Sequence, residues 1–466
     1  MNKNDVLSGV VDSLGYNGEG VLHVDGTTVF VPFVLPKEKI TFKVLKVKKT
    51  VAYGKVESIE TESSDRVTPR CPLFKKCGGC NLQHLSYEKQ LGYKAETVKA
   101  CFKKIAGLDV TVAAKIPSPA FYGYRNKMQL PVRSEKGENK IGFFRANSHA
   151  VIETDDCPLQ PDWAKKVISS VKNILDSGVP AYDETNGKGL LRHVVVREIN
   201  GEFLFTFVFY YQTEKFDNKL IAALSERFDK FSVLINVNST NSNVILGDVW
   251  RKVYGSGKIE VNEFGITYPV NAASFFQVNT PVKKMIYESV LCNSGIDENT
   301  VVIDAFSGAG VLTAMLAQKA KKAYGVEIID KAVEAADELK RLNGVKNMEN
   351  ICAPCESALP ELIAKVRAEG EKTVLVLDPP RSGADMRTIL SIVENKPDQI
   401  VYISCSPQTL ARDVGLIVGS LKASENGAVE ICKAFSPAYN IDSVAVYDMF
   451  PQTKHVETLV CLSRKF

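Results

Sequence analysis

Apolar and polar residues alternate in short runs from residue 6 to residue 59, and Asn17-Gly18, Asp25-Gly26 and Pro36 interrupt them. Period-two alternation broken by such pairs predicts strands joined by tight turns. Five short strands of this kind are expected to close into a small OB-like β-barrel. Ser63 to Arg70 is polar and reads as a linker, and Tyr87 to Lys104 has the pattern of an amphipathic helix. From Pro117 to about Gly257 the pattern is mixed, with strand-like runs RHVVVREI and EFLFTFVFYY, and periodicity gives no topology there. Past Gly265 the pattern becomes regular. Thr280 reads as a helix N-cap with Pro281 at the first helical position. TVVIDAF, KAYGVEI, TVLVLDPP and QIVYISCS are strand-like runs separated by helical segments. Near-continuous Val/Ile/Leu runs alternating with helices imply a mostly parallel sheet covered on both faces, a Rossmann-like α/β unit. The last run, VETLVCL, is expected at the sheet edge. The chain thus divides into three units: a barrel over 1–59, a mixed α+β domain over 60–264, and an α/β domain over 265–466. Residues about 85–115 are expected to pack on the third.

Composition narrows the class. The chain has 466 residues, 45% hydrophobic and 24% charged, which suits a multidomain globular protein. No apolar run reaches membrane-spanning length, and MNKNDVLSGV lacks the apolar core of a secretory signal. A cytoplasmic protein with no membrane partner is expected. The net charge of +4 announces no nucleic acid, but its distribution does. Lys37, Lys39, Lys43, Lys46, Lys48, Lys49 and Lys55 stand in a stretch whose only acid is Glu38. A local basic face binds phosphate even at small total charge.

Eleven cysteines without an export signal argue for thiols, not a disulfide framework. Cys71, Cys77 and Cys80 form C-x5-C-x2-C, a metal-ligand spacing. Cys157, in a second Cys-Pro-Leu like that at Cys71, is the natural fourth ligand. Four thiolates hold zinc or a [4Fe–4S] cluster, and spacing does not choose between them. Cys101, Cys292, Cys352, Cys432 and Cys461 read as core or incidental.

The run VVIDAFSGAGVLTAMLA is a strand, a glycine loop and a helix start, with Asp304 closing the strand. Glu327 ends the next strand and is placed to accept hydrogen bonds from ribose hydroxyls. The loop lacks both G-x-G-x-x-G and the Lys-Ser/Thr of a phosphate loop. A cofactor with ribose but no phosphate fits, and S-adenosylmethionine is one. DPPRSG, Asp378 to Gly383, ends a buried strand, the edge where ligands bind in such sheets. Arg381 stands where adenine-N6 enzymes place an aromatic residue, which disfavours that reaction. In SCSPQTLARD, Cys405 lies where a strand gives way to a helix. A thiol at a helix N-terminus, near Arg381 or Arg412, is expected to favour its thiolate. Carbon 5 of a pyrimidine is a poor nucleophile until a thiolate adds at carbon 6. A base must then remove the carbon-5 proton; Glu457 is the candidate, with His455 as rival.

FFQVNT, DAFSGAG, GVEI, DPPRSG, SCSPQTLARD and DMFPQTKHVET, in this order over nearly the whole chain, resemble the bacterial RNA uracil-5 methyltransferase family. The likeness is greatest to its 23S ribosomal RNA branch with an N-terminal TRAM domain. The resemblance implies Cys405 as nucleophile and Glu457 as proton acceptor. It implies cofactor contacts at Gln277, Phe306, Glu327 and Asp378, and places Arg381 beside the target uracil. It implies a [4Fe–4S] cluster on Cys71, Cys77, Cys80 and Cys157, and RNA binding by the TRAM module. The segment ICAPCESA departs from the family at Pro354 and Cys355, which leaves the adenine contacts open. Tyr122, Tyr124, Phe143 and Phe144, interleaved with Arg125, Lys127 and Arg145, suit stacking of unpaired bases or, equally, a sheet core. Rival readings are a transfer RNA substrate, cytosine-5 methylation, and a non-catalytic RNA-binding factor. Pro-Pro-Arg in place of Pro-Cys disfavours the second, and the presence of Cys405 and Glu457 disfavours the third. A monomer is expected.

Overall fold

A computed structural model describes residues 1–424, 429–432 and 434–465. The N-terminal alternation forms one sheet of six strands, one more than the pattern predicts, because Ser13–Leu14 pairs as a separate two-residue strand. The sheet buries Leu22, Val29, Ile40, Phe42 and Val44 on one face. It curls: a side chain at Gly9, on Val6–Val10, would press on Leu22 of Gly20–Val24. Glu38, the one acid among the lysines, is fully buried and turned inward, where its carboxylate accepts from Arg66 Nε at 2.5 Å. It therefore does not neutralise the lysine run, and Lys37, Lys46, Lys48 and Lys49 stay exposed.

The region without legible topology is a seven-stranded sheet. Its middle strands are Leu191–Ile199 and Glu202–Phe209, the two runs singled out by pattern. The helices Trp163–Asp176 and Asp217–Ser225 share one apolar core with it. A hairpin, Lys258–Glu263 with Ile266–Asn271, joins this sheet to the α/β domain. Ile259, Val261, Tyr268 and Val270 pack with Leu204 on one side and with Ala314 and Met315 on the other.

The third sheet has eight strands. Five are parallel, in the order Met348–Cys352, Lys322–Glu327, Thr300–Ala305, Lys372–Leu377, Gln399–Ser404. This is Rossmann-type winding, and the strand order reverses between Thr300–Ala305 and Lys372–Leu377. Ligands bind in the crevice beyond the carboxyl ends at such a reversal. The final strand, Glu457–Arg464, is not at the edge: it runs antiparallel beside Gln399–Ser404 and is covered by Tyr439–Tyr447. The edge is Ala114–Ile116, donated from more than 300 residues earlier and parallel to Tyr439–Tyr447. Its lead-in helix, Tyr87–Cys101, packs on the helix Pro407–Val418. That helix ends three residues before the pattern suggests, because Phe102–Ala106 widens into a π-turn closed by Gly107. Thr280 is the first helical residue and Asn279 its cap, one residue earlier than expected.

A buried ion pair locks the same helix to the C-terminal loop. Lys94 Nζ donates to Asp448 Oδ1 at 2.5 Å and to the Phe450 carbonyl at 3.0 Å, with both charged side chains fully enclosed. Removing one partner of such a pair strands a charge in the interior. The pair fixes where Lys454, His455 and Glu457 emerge.

Candidate active site

The carboxyl ends of the parallel strands gather the acids. Asp304 ends its strand fully buried and accepts from Thr313 Oγ1 at 2.6 Å. Burial pushes it up to about 7, and Asp378 and Glu327 add repulsion. Asp378, one residue past Leu377, is also raised to about 7 by burial. Glu327 is occupied by its own backbone. Oε2 accepts from Gly308 N at 3.0 Å, and Oε1 from Ile328 N and Ile329 N at 2.9 Å. Of about four lone-pair positions on a carboxylate, one stays free for a hydroxyl.

The loop between Asp304 and Glu327 is shaped by backbone demands. Phe306 sits at φ +66°, a strained value for an aromatic residue. Gly310, at φ +73°, has no room for a side chain: a Cβ would lie 2.7 Å from Ala336 Cβ. Gly308 faces open space. Gln277 lies on the segment before the helix Thr280–Asn293, its carbonyl accepting from Asn126 Nδ2 at 2.9 Å. The neighbouring Phe276 ring has Lys283 Nζ 4.0 Å and Arg197 5.5 Å from its centroid, while Phe275 is 84% exposed. The two cations pin this segment.

Cys405 follows the strand Gln399–Ser404 and precedes Ser406, which caps the helix Pro407–Val418. Ser404 pairs with Thr458, so the register continued by one residue sets Cys405 opposite Glu457. Glu457 is 4% exposed, and its carboxyl is held well above the ordinary range by burial and by Asp378, against Arg381. The Cys405 thiol is raised, not lowered as the helix terminus suggests: burial wins, Glu457 adds, and the Arg381 guanidinium opposes. Arg412 gives Cys405 no help, because it is bound to Asp413 and to the Ala384 carbonyl. His455 is pushed down to about 4 by burial, then by Arg381 and Lys454, and is neutral.

The DPPRSG loop is clamped from behind. Asp413, fully buried, accepts from Ala384 N at 3.0 Å and Tyr402 OH at 2.5 Å. A Cβ at Gly383 would lie 2.6 Å from Arg412 Nη2, so the turn requires glycine. Arg381, beyond the clamp, is exposed and reaches a cavity of about 110 Å³. Cys405, His455 and Lys454 line that cavity too, together with Tyr16 from the N-terminal sheet.

The candidate ligand cysteines are neighbours away from this cavity. Burial raises Cys80 to about 12 and Cys157 to about 11. Cys77 acts on both, and Cys71 acts on Cys77 and Cys157. Gly79 N donates to Cys77 Sγ at 3.4 Å. Arg125 is turned among these thiols and Tyr124 is buried beside it, so the Tyr124 ring packs inside the domain. Among the described residues, no group of three or more His, Cys, Asp or Glu is arranged to hold a metal ion. Of the other cysteines, Cys101, Cys355 and Cys461 are buried and Cys292 and Cys352 exposed.

Sequence similarity accounts for this arrangement. The tRNA (uracil-5-)-methyltransferase family matches residues 86–465. The chain belongs to that family. RNA methyltransferases of Clostridium acetobutylicum and Halalkalibacterium halodurans are 38% and 37% identical to it, each over 100% of this chain and 98% of their own. Among solved structures, the Pyrococcus abyssi tRNA (uracil-54, C5)-methyltransferase in complex with S-adenosyl-L-homocysteine is similar over 98% of this chain and 100% of its own. Its TM-score is 0.75 and its identity 27%. This methyltransferase therefore uses S-adenosylmethionine and acts on RNA. Its crevice suits that cofactor: Asp304 and Glu457 are buried acids and Asp378 a half-buried one, Arg381 is the cation acting on Glu457, and a sulfonium cation offsets the three. No helix among the described residues is long and apolar enough to cross a membrane.

The raised acids set a pH dependence. Below about 7, Asp304 and Asp378 hold protons in the free enzyme, and a cationic ligand must displace them. Affinity for S-adenosylmethionine is expected to tighten as pH rises towards 7, by up to about tenfold per unit per acid, and to level off above it. Calorimetry across that range checks this; affinity independent of pH counts against two raised acids at the site. The free enzyme follows the opposite sign, since raised folded-state values withdraw stability as pH climbs from about 4 to 7.

Two residues escaped sequence reasoning. Asp413 was legible only as part of a motif, not as the clamp of its partner loop. Tyr16 carried no signal, because nothing local connects a turn of the N-terminal sheet to a cavity otherwise lined by Thr97 and by residues between 381 and 456.

Proposed function

We propose that this enzyme methylates carbon 5 of a uridine in 23S ribosomal RNA through a covalent adduct between Cys405 and carbon 6. The observation that carries the reading is the register that puts Cys405 opposite Glu457, with Asp378 and Arg381 acting on both. S-adenosylmethionine supplies the methyl group. Phe306, Glu327, Asp378 and Gln277 hold it at the strand-order reversal. The Cys405 thiol loses its proton to solvent through the open cavity, and Arg381 pairs the thiolate. The sulfur adds to carbon 6, and the carbon 5–carbon 6 π electrons move toward oxygen 4 as an enolate. Carbon 5 then takes the methyl group as the sulfonium–methyl bond breaks. Glu457 accepts the carbon-5 proton, the double bond re-forms, and the sulfur–carbon bond breaks to return the thiolate. The raised carboxyl of Glu457 suits this base role, because a carboxylate whose proton affinity is raised by burial takes a proton more readily than an ordinary one. His455, neutral and weakly basic, suits it less.

In the same reading the N-terminal sheet is a TRAM-type barrel whose exposed lysines bind phosphate. Cys71, Cys77, Cys80 and Cys157 hold a [4Fe–4S] cluster that positions this region. Assay of iron and acid-labile sulfide in anaerobically purified protein tests it: about four of each per chain are expected, and zinc in their place removes the cluster.

A second reading has its own support. The Pyrococcus abyssi neighbour acts on transfer RNA, and it covers nearly this whole chain. Mass-spectrometric mapping of 5-methyluridine in RNA from a strain lacking the protein separates the two. Loss from 23S ribosomal RNA supports the first reading. Loss confined to transfer RNA establishes the second, and no loss at all overturns both.

A further inference from the structure

The turn Gly15–Glu19 of the N-terminal sheet does not project freely into solvent. Tyr93, on the helix Tyr87–Cys101, donates its hydroxyl to the carbonyls of Gly15 at 2.8 Å and Tyr16 at 3.0 Å. Lys454 Nζ donates to Asn17 Oδ1 and stands 5.6 Å from the centroid of the Tyr16 ring. Gly18, at φ +82°, takes a left-handed conformation that favours glycine, and a Cβ there would lie 3.0 Å from Leu82. The turn is thus fixed from both sides, and its aromatic residue is delivered to the cavity that contains Cys405, Arg381 and His455. Tyr16 is 38% exposed, so the ring is not consumed by packing. Its hydroxyl feels both Cys405 and Arg381.

We infer that Tyr16 is a positioning residue of the catalytic pocket: its ring stacks on the pyrimidine drawn out of the RNA, holding carbon 6 against the Cys405 sulfur. The inference rests on the uracil-5 reading and deepens it. The N-terminal module then does more than hold phosphate, since it completes the wall of the reaction chamber. An extruded base loses its stacking neighbours, and an aromatic face in the receiving pocket replaces them. An aromatic side chain serves because every base offers a π-face. Residues of the α/β domain supply charge around Cys405 but no aromatic ring to this cavity beyond the imidazole of His455.

The test compares Tyr16→Ala and Tyr16→Phe in the full-length holoenzyme, using methyl-deficient total RNA from a strain lacking the enzyme. Tyr16→Ala is expected to lower kcat about tenfold to a hundredfold, the range for loss of one base-stacking aromatic. Tyr16→Phe is expected to stay within about threefold of wild type. Affinity for S-adenosylmethionine, melting temperature and retention of RNA on filters are expected to stay unchanged in both, because phosphate contacts elsewhere carry binding. Wild-type rates in Tyr16→Ala overturn the inference. So does a Tyr16→Phe variant as slow as Tyr16→Ala, or a loss confined to melting temperature. Failure of wild-type enzyme to form an adduct with 5-fluorouridine RNA overturns instead the reading beneath it.

Discussion

Cys405→Ala is expected to abolish methyl transfer, with a fall of roughly 10⁴-fold or more, while leaving cofactor binding intact. The size follows from what the sulfur does. Without a bond at carbon 6, carbon 5 has no enolate to push it toward the methyl group, and no other side chain in the cavity supplies a comparable nucleophile. Serine at 405 is no substitute, since its hydroxyl is far harder to ionise than a thiol beside Arg381. Folding is spared because the side chain is half-buried at a strand end, not in the core. The decisive measurement uses RNA containing 5-fluorouridine, whose carbon–fluorine bond cannot be broken by a base. Wild type is expected to form an adduct that survives denaturing electrophoresis, and Cys405→Ala none. An adduct that persists in Cys405→Ala, with methyl transfer within about tenfold of wild type, removes the covalent mechanism.

The same cavity shows where sequence reasoning reaches and where it stops. The four Val/Ile/Leu runs of the parallel sheet were legible, because a strand covered on both faces has no choice but to be apolar throughout. Their order follows from the winding rule, so the meeting of Asp304 and Asp378 was within reach. The last strand was not. VETLVCL is as apolar as a central strand, and it is internal because Tyr439–Tyr447 pairs along its outer side, itself covered by Ala114–Ile116 from a distant segment. Nothing in residues 114–116 announces that destination. The thiol shows a different limit. A helix N-terminus and an arginine are visible in sequence, and both favour the thiolate, but burial beside Glu457 outweighs them. Desolvation depends on what surrounds a group in three dimensions, which spacing does not encode. Tyr124 and Arg125 make the same point from the other side. Their alternation suits RNA stacking as well as core packing, and the fold turns them toward the cysteines.

Gathering three carboxyls around one crevice, two of them buried, is costly, and a cation entering the crevice offsets that cost. Each acid disfavours ionisation of the next: Asp378 acts on Asp304 in one direction and on Glu457 and Cys405 in the other. In the proposed mechanism, entry of the sulfonium shifts Asp304 and Asp378 toward their anions. On the same mechanism, departure of the methyl group then removes that positive charge at the moment when Glu457 is proposed to take a proton. Loss of a nearby cation raises a carboxyl's affinity for a proton. The base is therefore strengthened by the step that creates its need.

Glu457→Gln separates the two halves of that sequence. Glutamine keeps the shape and accepts hydrogen bonds but takes no proton, so methylation of carbon 5 proceeds and elimination stalls. The expected result is a fall in turnover of about 10²- to 10⁴-fold, the range for loss of a general base. It is accompanied by a covalent enzyme–RNA species that accumulates on ordinary, unfluorinated RNA and carries the transferred methyl group. Cys405→Ala is expected to show no such species, and the double variant Cys405→Ala, Glu457→Gln none either, since the bond that stalls is never made. Radiolabel from the methyl donor retained on Glu457→Gln protein after denaturation, and released by digestion of the RNA, is the signature. If turnover falls while no labelled adduct accumulates, Glu457 acts before methyl transfer and not after it. His455 then becomes the candidate for the proton, despite its low basicity. If turnover is unchanged, the acid at 457 has no part in proton removal, and its burial opposite Cys405 needs another explanation.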